Sequence, residues 1–199
     1  MSSLEFVEET HTYLYDGVII PSVSEIIRFA FPDAYKGIPA DKLKAKADYG
    51  TKVHQLVEEF ASGKISMDEI KSKKIDPNIK IAVEQFELLR KKWVFYIKSM
   101  EQMVCYKGKY AGTYDIKTED NLIIDLKTTS SIHEDWLALQ LGLYYLACGI
   151  RQELGYCIWL PKQKCAQVKE IKVKTWEECL EILKSYEQAH KSNEHKPFN

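Results

Sequence analysis

The chain has 199 residues, with 28 basic and 29 acidic side chains and a net charge of −1. This length predicts one domain with a sizeable core. The balanced charge argues against a protein that holds nucleic acid by bulk positive charge, so any such contact must be a local patch. No run of ~18 apolar residues is present, and the first residues lack the features of a signal peptide. We therefore expect a cytoplasmic protein without a membrane span.

The first third of the chain predicts a β-hairpin followed by helices. Residues 6–20 alternate around Asp16-Gly17, a two-residue turn signal. Ser22 and Glu25 form a capping box for a short helix that ends near Phe31. A second helix is predicted over residues 50–61, where His54 and Glu58 share one face. In that arrangement Glu58 is a candidate partner that fixes the imidazole tautomer.

The middle of the chain predicts a long helix and the first strand of a sheet. Asp76-Pro77 is an N-cap followed by proline at the first helical position. The apolar stripe that follows extends the predicted helix to about Ile97. Residues 101–109 then form the first predicted strand, and Glu101 lies at its start.

Two carboxylates stand at the centre of the next segment. Residues 111–117 alternate, residues 119–121 supply a turn, and residues 122–125 form an apolar strand that ends at Asp125. A hairpin brings Asp115 close to Asp125, and a divalent cation is the usual remedy for two carboxylates at short range. Lys127 shares the face of Asp125, because side chains alternate along a strand. A Mg²⁺ ion with an ammonium group beside it is suited to phosphodiester hydrolysis.

The acid-x-Lys pattern alone is weak evidence, because it occurs five times in this chain. Only Asp125 and Lys127 combine an apolar strand, an upstream aspartate and a following helix. The plain alternative is a surface hairpin with an ion pair at its tip, and Asp115 with Lys117 is a rival register.

A helix and a second half of the sheet are predicted after this strand. Residues 135–147 have apolar residues at helical spacing, and Gln140 and Tyr144 lie one above the other on one face. Gly149 stops that helix, and residues 153–160 form a buried strand, so a βαβ crossover is expected. Residues 166–173 form a last strand, and Thr175 and Glu178 cap a helix that runs to about His190.

Together these residues resemble the PD-(D/E)XK nuclease superfamily, and more narrowly its RecB-type branch. The resemblance covers residues 50–144, about half of the chain, and residues 11–27 are also similar to the lead-in of phage and mitochondrial-genome-maintenance exonucleases of this branch. The matching residues, in order, are His54 in a Gly-x-x-x-His-x-x-x-Glu context, Glu101, Asp115, Asp125-Leu126-Lys127 and Gln140-x-x-x-Tyr144.

The resemblance implies an α/β fold with a restriction-endonuclease-like core. We expect a central mixed β-sheet flanked by helices, with the Asp115 and Asp125 strands in its middle and an N-terminal β-hairpin and helical region. One nuclease domain would span residues 1–199, with a lead-in at 1–48, a core at 49–193 and a tail at 194–199.

The implied function is that of a metal-dependent DNA exonuclease acting in replication, recombination or repair. His54, Asp115, Asp125 and the carbonyl of Leu126 would bind Mg²⁺ or Mn²⁺, and Lys127 would act at the nucleophile. Gln140 and Tyr144 would hold the strand or the hydrated metal. For Glu101 two roles stay open, at a second metal position or as a brace for Lys127.

Further expectations concern the partner and cofactors. The substrate would be single-stranded DNA or duplex ends, and a homo-oligomer or replication and recombination partners are compatible with the resemblance. Thr128 and Thr129 are candidate phosphate contacts. A group of lysines either lines a DNA entrance or forms a solvated helix face; it comprises Lys36, Lys42, Lys44, Lys46 and Lys52. No iron–sulfur cluster is expected, since no cysteine precedes His54 and no Cys-x-x-Cys occurs.

Three alternatives remain. One is a structure-specific or nicking endonuclease. Another is a catalytically inactive nuclease-fold module that binds nucleic acid or a partner protein. The third is an unrelated α/β protein in which Asp125 and Lys127 form a structural ion pair.

Overall fold

The computed structural model describes residues 3–33, 39–162 and 164–194, with side chains described as far as Lys191. In chain order the elements are β1 (Leu4–Val7), β2 (Thr12–Tyr15), β3 (Val18–Ile20), α1 (Val23–Ala30), α2 (Ala40–Ala61), α3 (Met67–Ser72), α4 (Pro77–Trp93), β4 (Ile97–Tyr106), β5 (Tyr110–Thr118), β6 (Ile123–Lys127), α5 (Glu134–Cys148), β7 (Leu154–Trp159), β8 (Gln167–Lys172) and α6 (Trp176–Glu194).

A mixed five-stranded sheet has the order β4-β5-β6-β7-β8. Strands β6 and β7 are parallel, and the other neighbours pair antiparallel. Because parallel neighbours need a crossover, helix α5 connects β6 to β7, as the βαβ prediction requires. Strands β1, β2 and β3 form a separate antiparallel sheet, so the predicted hairpin gains a third strand. The α/β prediction, with helices around a central mixed sheet, is confirmed.

The sheet is covered on both faces by apolar side chains. On one face Ile123 and Cys157 pack with residues from α1, α5 and α6. On the other face Ile124, Leu126 and Ile158 pack with residues from α2 and α4. Burying one such aliphatic side chain contributes about 1.5–3 kcal/mol. Strand β6 is therefore buried on both sides, and any charge at its end is held by a rigid frame.

The local signals at the ends of elements mostly hold. Both oxygens of the Ser22 and Glu25 capping box find their backbone partners, and Gly149 ends α5 with a φ of 69°. That backbone conformation strains residues other than glycine, which explains the helix stop. None of the helices in the described ranges has both the length and the apolar character that a bilayer span requires.

Two helix boundaries differ from the prediction. Helix α2 begins at Ala40 rather than Gly50, because the alanines and lysines before Gly50 favour a helix even though that segment is largely exposed. Helix α4 ends at Trp93 rather than near Ile97, where Val94 takes a φ of 50°. The chain then reverses, and Phe95 packs its ring against Trp93 with 5.2 Å between centroids. Residue 97 therefore begins β4.

Candidate functional site

The β5–β6 hairpin brings Asp115 and Asp125 to corresponding positions. Its backbone ladder contains the pairs Lys117–Ile123 and Ile116–Ile124. The next residues in this register are Asp115 and Asp125. Here the side chain of Asp115 continues the ladder, since the backbone N–H of Leu126 donates to its Oδ2 at 2.6 Å. The predicted turn therefore places the two aspartates at facing positions of paired strands, with Asp115 half-buried and Asp125 buried.

Helix α2 and strand β4 add two more groups to Asp115. The Nδ1 atom of His54 lies 3.3 Å from Oδ1 of Asp115 and 3.6 Å from Oε1 of Glu101. Glu101 follows Met100 and precedes Gln102, whose partners on β5 flank Asp115. Ligand atoms of His54, Glu101 and Asp115 all lie within 4.8 Å of one another. Because imidazole and carboxylates bind divalent ions, this group could hold a metal ion.

The backbone of Glu101 is strained at this site. Its φ of 45° lies in the left-handed region, which costs on the order of 1–3 kcal/mol for a residue with a side chain. Its Oε1 atom is buried and accepts no hydrogen bond from the described part of the chain. A buried acceptor without a hydrogen-bond partner is costly. Both features are the kind that persists where a ligand compensates.

The pKa values of these three residues are shifted in different directions. Burial by itself lowers the pKa of His54, but Asp115 and Glu101 outweigh it and raise the pKa to about 10. Burial raises the pKa of Asp115, yet the imidazole and Lys127 bring it below its usual value. The pKa of Glu101 is raised, mainly by burial. In the metal-free protein a proton on His54 therefore supplies positive charge where a cation would bind.

A network of hydrogen-bonded side chains connects β6 to α5. Asp125 is 2% exposed, and its Oδ1 accepts a hydrogen bond from Nζ of Lys127 at 2.8 Å. Lys127 also donates to Oε1 of Gln140 at 3.3 Å, and Nε2 of Gln140 donates to the hydroxyl of Tyr144 at 3.3 Å. The predicted stacking of Gln140 and Tyr144 on one helix face therefore holds the ammonium group in place.

Only one of the two carboxylate oxygens of Asp125 has a hydrogen-bond partner in this network. Its Oδ2 atom is buried and has no hydrogen-bond partner among the residues that the structure describes. Burial, reinforced by Asp115 and opposed by Lys127, raises the pKa of Asp125 to about 6. Burial lowers the pKa of Lys127, but the carboxylates of Asp125 and Asp115 overcome this and raise it. The ammonium group therefore stays charged at neutral pH.

The predicted metal ligands are divided between the group around His54 and the hydrogen-bond network around Lys127. His54 and Asp115 lie in the three-residue group, Glu101 joins them, and Asp125 lies beside Lys127. The carbonyl of Lys127 accepts from the N–H of Leu160 on the β7 side. Backbone groups alternate along a strand, so the carbonyl of Leu126 points toward the β5 side, where its N–H meets Asp115.

The predicted partner of His54 is wrong. Glu58 lies 3.5 Å from Nζ of Lys64, whereas Nδ1 of His54 faces Asp115 and Glu101. The chain turns back after the end of α2, so Lys64 reaches the carboxylate of Glu58 one turn beyond His54. Of the two roles left open for Glu101, its contact with His54 places it in the group that could hold a metal ion. The hydrogen-bond partners of Lys127 are Asp125 and Gln140.

Part of this site opens onto a cleft of about 430 Å³. The site residues that line this cleft are His54, Leu126, Lys127 and Gln140. Other walls come from three segments: α1 with Ser24, Ile27 and Arg28; α2 with Leu43, Lys46, Ala47 and Gly50; and the loop before and start of α5 with Thr128, Thr129, Ser130, Ser131, Ile132, His133, Trp136 and Leu137.

The lining includes two residues that the sequence analysis singled out, Lys46 and Thr129, and one that it did not, Arg28. Lys46 is the one member of the predicted lysine group that lines the cleft, while Lys44 pairs with Asp48 at 3.3 Å and Lys36 lies outside the described residues. Arg28 gives no signal in the sequence, because a basic residue in the last turn of a helix is ordinary. Thr129 contributes to the wall, and its hydroxyl donates to the carbonyl of Ser131 at 2.7 Å.

No protein-family model matches this sequence, and no curated protein matches it. Among solved structures, the crystal structure of SSO0001 is similar over 59% of this chain and 59% of that chain. The sequence identity is 16% and the TM-score is 0.39. The matched part is therefore less than two thirds of that chain.

Proposed function

We propose that this protein is a divalent-metal-dependent nuclease that hydrolyses phosphodiester bonds in DNA and removes nucleotides from strand ends. The observation that carries the proposal is that one cleft is lined both by His54, whose imidazole contacts Asp115 and Glu101, and by Lys127, which pairs with Asp125. A structural ion pair alone would not leave oxygens of Glu101 and Asp125 buried and without hydrogen-bond partners within the described ranges. The resemblance to RecB-type nucleases supports the same activity.

The donor set fits Mg²⁺ or Mn²⁺. His54, Glu101 and Asp115 would hold the ion. The resemblance adds two oxygen donors, the carbonyl of Leu126 and the carboxylate of Asp125, whose Oδ2 has no hydrogen-bond partner among the described residues. Oxygen-rich sites with few protein ligands suit Mg²⁺, and an added imidazole suits Mn²⁺ equally well. When bound, a divalent ion supplies Lewis-acid polarisation of the scissile phosphate.

Lys127 contributes positive charge and hydrogen-bond donors. Its raised pKa keeps the ammonium group protonated, so it acts as a donor rather than as a general base. Bonds to Asp125 and Gln140 fix its position. From there it can orient an attacking water or stabilise charge that develops on the phosphate. Because the raised pKa of Tyr144, caused mainly by burial, keeps its hydroxyl protonated, that hydroxyl remains a donor.

The cleft offers contacts for the phosphate backbone. Arg28 and Lys46 stand on the helices, and the hydroxyls of Thr128 and Thr129 stand on the loop after β6. These are the side chains that contact phosphates in protein–nucleic acid complexes. With a net charge of −1 for the whole chain, such a local patch accounts for binding without bulk attraction.

Digestion of end-labelled DNA tests the proposal. Linear single strands, linear duplexes, closed circular DNA and RNA are incubated with Mg²⁺ or Mn²⁺, and with EDTA. We expect stepwise loss of linear DNA in metal and none in EDTA, with circular DNA intact. Asp115→Asn and Lys127→Ala should abolish cleavage, whereas Asp48→Asn, a surface acid on α2, should not.

Each other outcome has a definite meaning. Nicked circles would show an endonuclease instead of an exonuclease. Preference for RNA would correct the substrate. Activity of Asp115→Asn equal to wild type would show that the cutting groups lie elsewhere, and the absence of cleavage on every substrate in both metals would refute the nuclease assignment.

A further inference from the structure

Two aromatic side chains lie in the cleft beside the candidate catalytic groups. The rings of His133 and Trp136 are stacked, with centroids 4.2 Å apart and planes 19° from parallel. Phe31 extends the array, with its ring 6.1 Å from that of Trp136. His133 is exposed and Trp136 is half-buried. The cleft therefore has a flat aromatic surface in its wall, in addition to its charged groups.

The geometry of α5 sets how far this surface lies from the chemistry. Trp136, Gln140 and Tyr144 are spaced four residues apart, so they share one helix face. One such step is about 6 Å along the helix axis. Gln140 holds the ammonium group of Lys127. The aromatic pair is thus about one helical turn from the group that would act on the phosphate, which is less than two base-stacking steps of ~3.4 Å.

Basic residues in the wall of the same cleft supply charge for the phosphates that flank a base at this place. Arg28 from α1 and Lys46 from α2 line the same cleft as His133 and Trp136. Stacking platforms combined with a basic groove are the general means of binding unpaired strands. A duplex keeps its bases stacked on one another, so its internal bases are not available to aromatic side chains.

We propose that His133 and Trp136 form a stacking platform for an unpaired nucleobase next to the scissile phosphate, so that the cleft takes single-stranded nucleic acid. This inference rests on the proposed function, because it takes the groups around Lys127 as the place where the phosphate is cut. It names the substrate class as single strands, including unpaired ends, in preference to blunt duplexes.

Binding without turnover tests the platform. Fluorescence anisotropy is measured in Ca²⁺ with a labelled oligothymidylate, an abasic strand of equal length and a blunt duplex, and a denaturing gel checks that each probe is intact. Wild type should bind the oligothymidylate more tightly than both other probes. His133→Ala and Trp136→Leu should weaken oligothymidylate binding by about 5- to 150-fold, the range for one lost base stack, and should leave abasic-strand binding within about twofold.

Control variants separate stacking from damage to the fold. Trp136→Phe keeps an aromatic ring and should retain most of the affinity. His190→Ala removes another exposed histidine that stacks on an aromatic ring, at 4.0 Å from Tyr186, and should have no effect on any probe. The melting temperature of each variant is measured in parallel. His133 is exposed, so its replacement should leave that temperature unchanged.

Several results would overturn the platform. These are equal binding of oligothymidylate and abasic strand by wild type, equal binding of the blunt duplex, and parallel losses on both single strands in His133→Ala. The two proposals fail separately. DNA that is cut by a protein without base-dependent binding would leave the nuclease assignment and remove the platform. Base-dependent binding without any cleavage would leave the platform as a binding site and remove the nuclease assignment.

Discussion

Metal binding by the acidic group around His54 should be measurable as thermal stability, without any substrate. Oxygens of Glu101 and Asp125 are buried without hydrogen-bond partners in the described chain, so a bound cation meets groups that the unfolded chain exposes to water. A ligand that binds only the folded protein at 100 times its Kd stabilises it by about 2.7 kcal/mol. In a domain of this size about 1 kcal/mol raises Tm by roughly 2–4 °C, so Mn²⁺ should raise Tm by about 5–11 °C.

The assay is thermal unfolding followed by circular dichroism, with and without Mn²⁺ or Mg²⁺. Asp115→Asn removes one charge while its amide oxygen can still accept from the N–H of Leu126, so this variant should lose most of the increase. Asp48→Asn is the matched control, because Asp48 is 54% exposed and pairs only with Lys44 among the ion pairs of the described residues. An unchanged Tm in wild type, or an equal increase in Asp115→Asn, would refute the metal site.

Three further predictions concern the same region. Lys127→Ala should abolish cleavage while substrate binding is largely kept, and should lower the free energy of unfolding in urea by about 1–3 kcal/mol. Breaking a fully buried pair costs more, but Lys127 is 29% exposed and water can partly replace it. In protein prepared without metal, the raised pKa of His54 stabilises the fold below pH ~6.5. This contribution should fade as the pH rises toward about 10. The urea midpoint should therefore fall over that range in wild type, and fall less in His54→Gln. Gly112→Ala should destabilise by about 1–3 kcal/mol, because its Cβ would lie 2.8 Å from Cε1 of Tyr144, and an unchanged urea midpoint would contradict this.

The sequence predicts the central part of the site well because its signals are local. Alternation on β5, turn residues after Thr118 and an apolar run on β6 together determine a hairpin. Its register then puts Asp115 and Asp125 at corresponding positions. The spacing of Gln140 and Tyr144 likewise follows from helix geometry alone, and the hydrogen bond between them agrees with it.

Other parts of the site depend on contacts between distant segments. The approach of Glu101 to His54 requires the β4–β5 register, the placement of α2 against the sheet and a left-handed backbone at residue 101. No local pattern encodes that combination. For the same reason helix spacing points to Glu58 as the partner of His54, although the turn after α2 gives Glu58 a contact with Lys64 instead. The aromatic pair at His133 and Trp136 lies at a loop–helix junction, where periodicity carries little information.

Several unfavourable features occur together at this site. Glu101 has a strained backbone, oxygens of Glu101 and Asp125 are buried without partners in the described chain, and the pKa of Asp125 is raised to about 6. Selection for stability alone would remove such features, since replacing a buried ion pair as a whole by well-packed apolar residues is often neutral or stabilising. Their coexistence at one site is what the proposed metal binding would account for. A divalent cation at His54, Glu101 and Asp115 would do so, because it would bind the oxygen of Glu101, replace the proton on His54 and favour the ionised form of Asp125 beside Lys127.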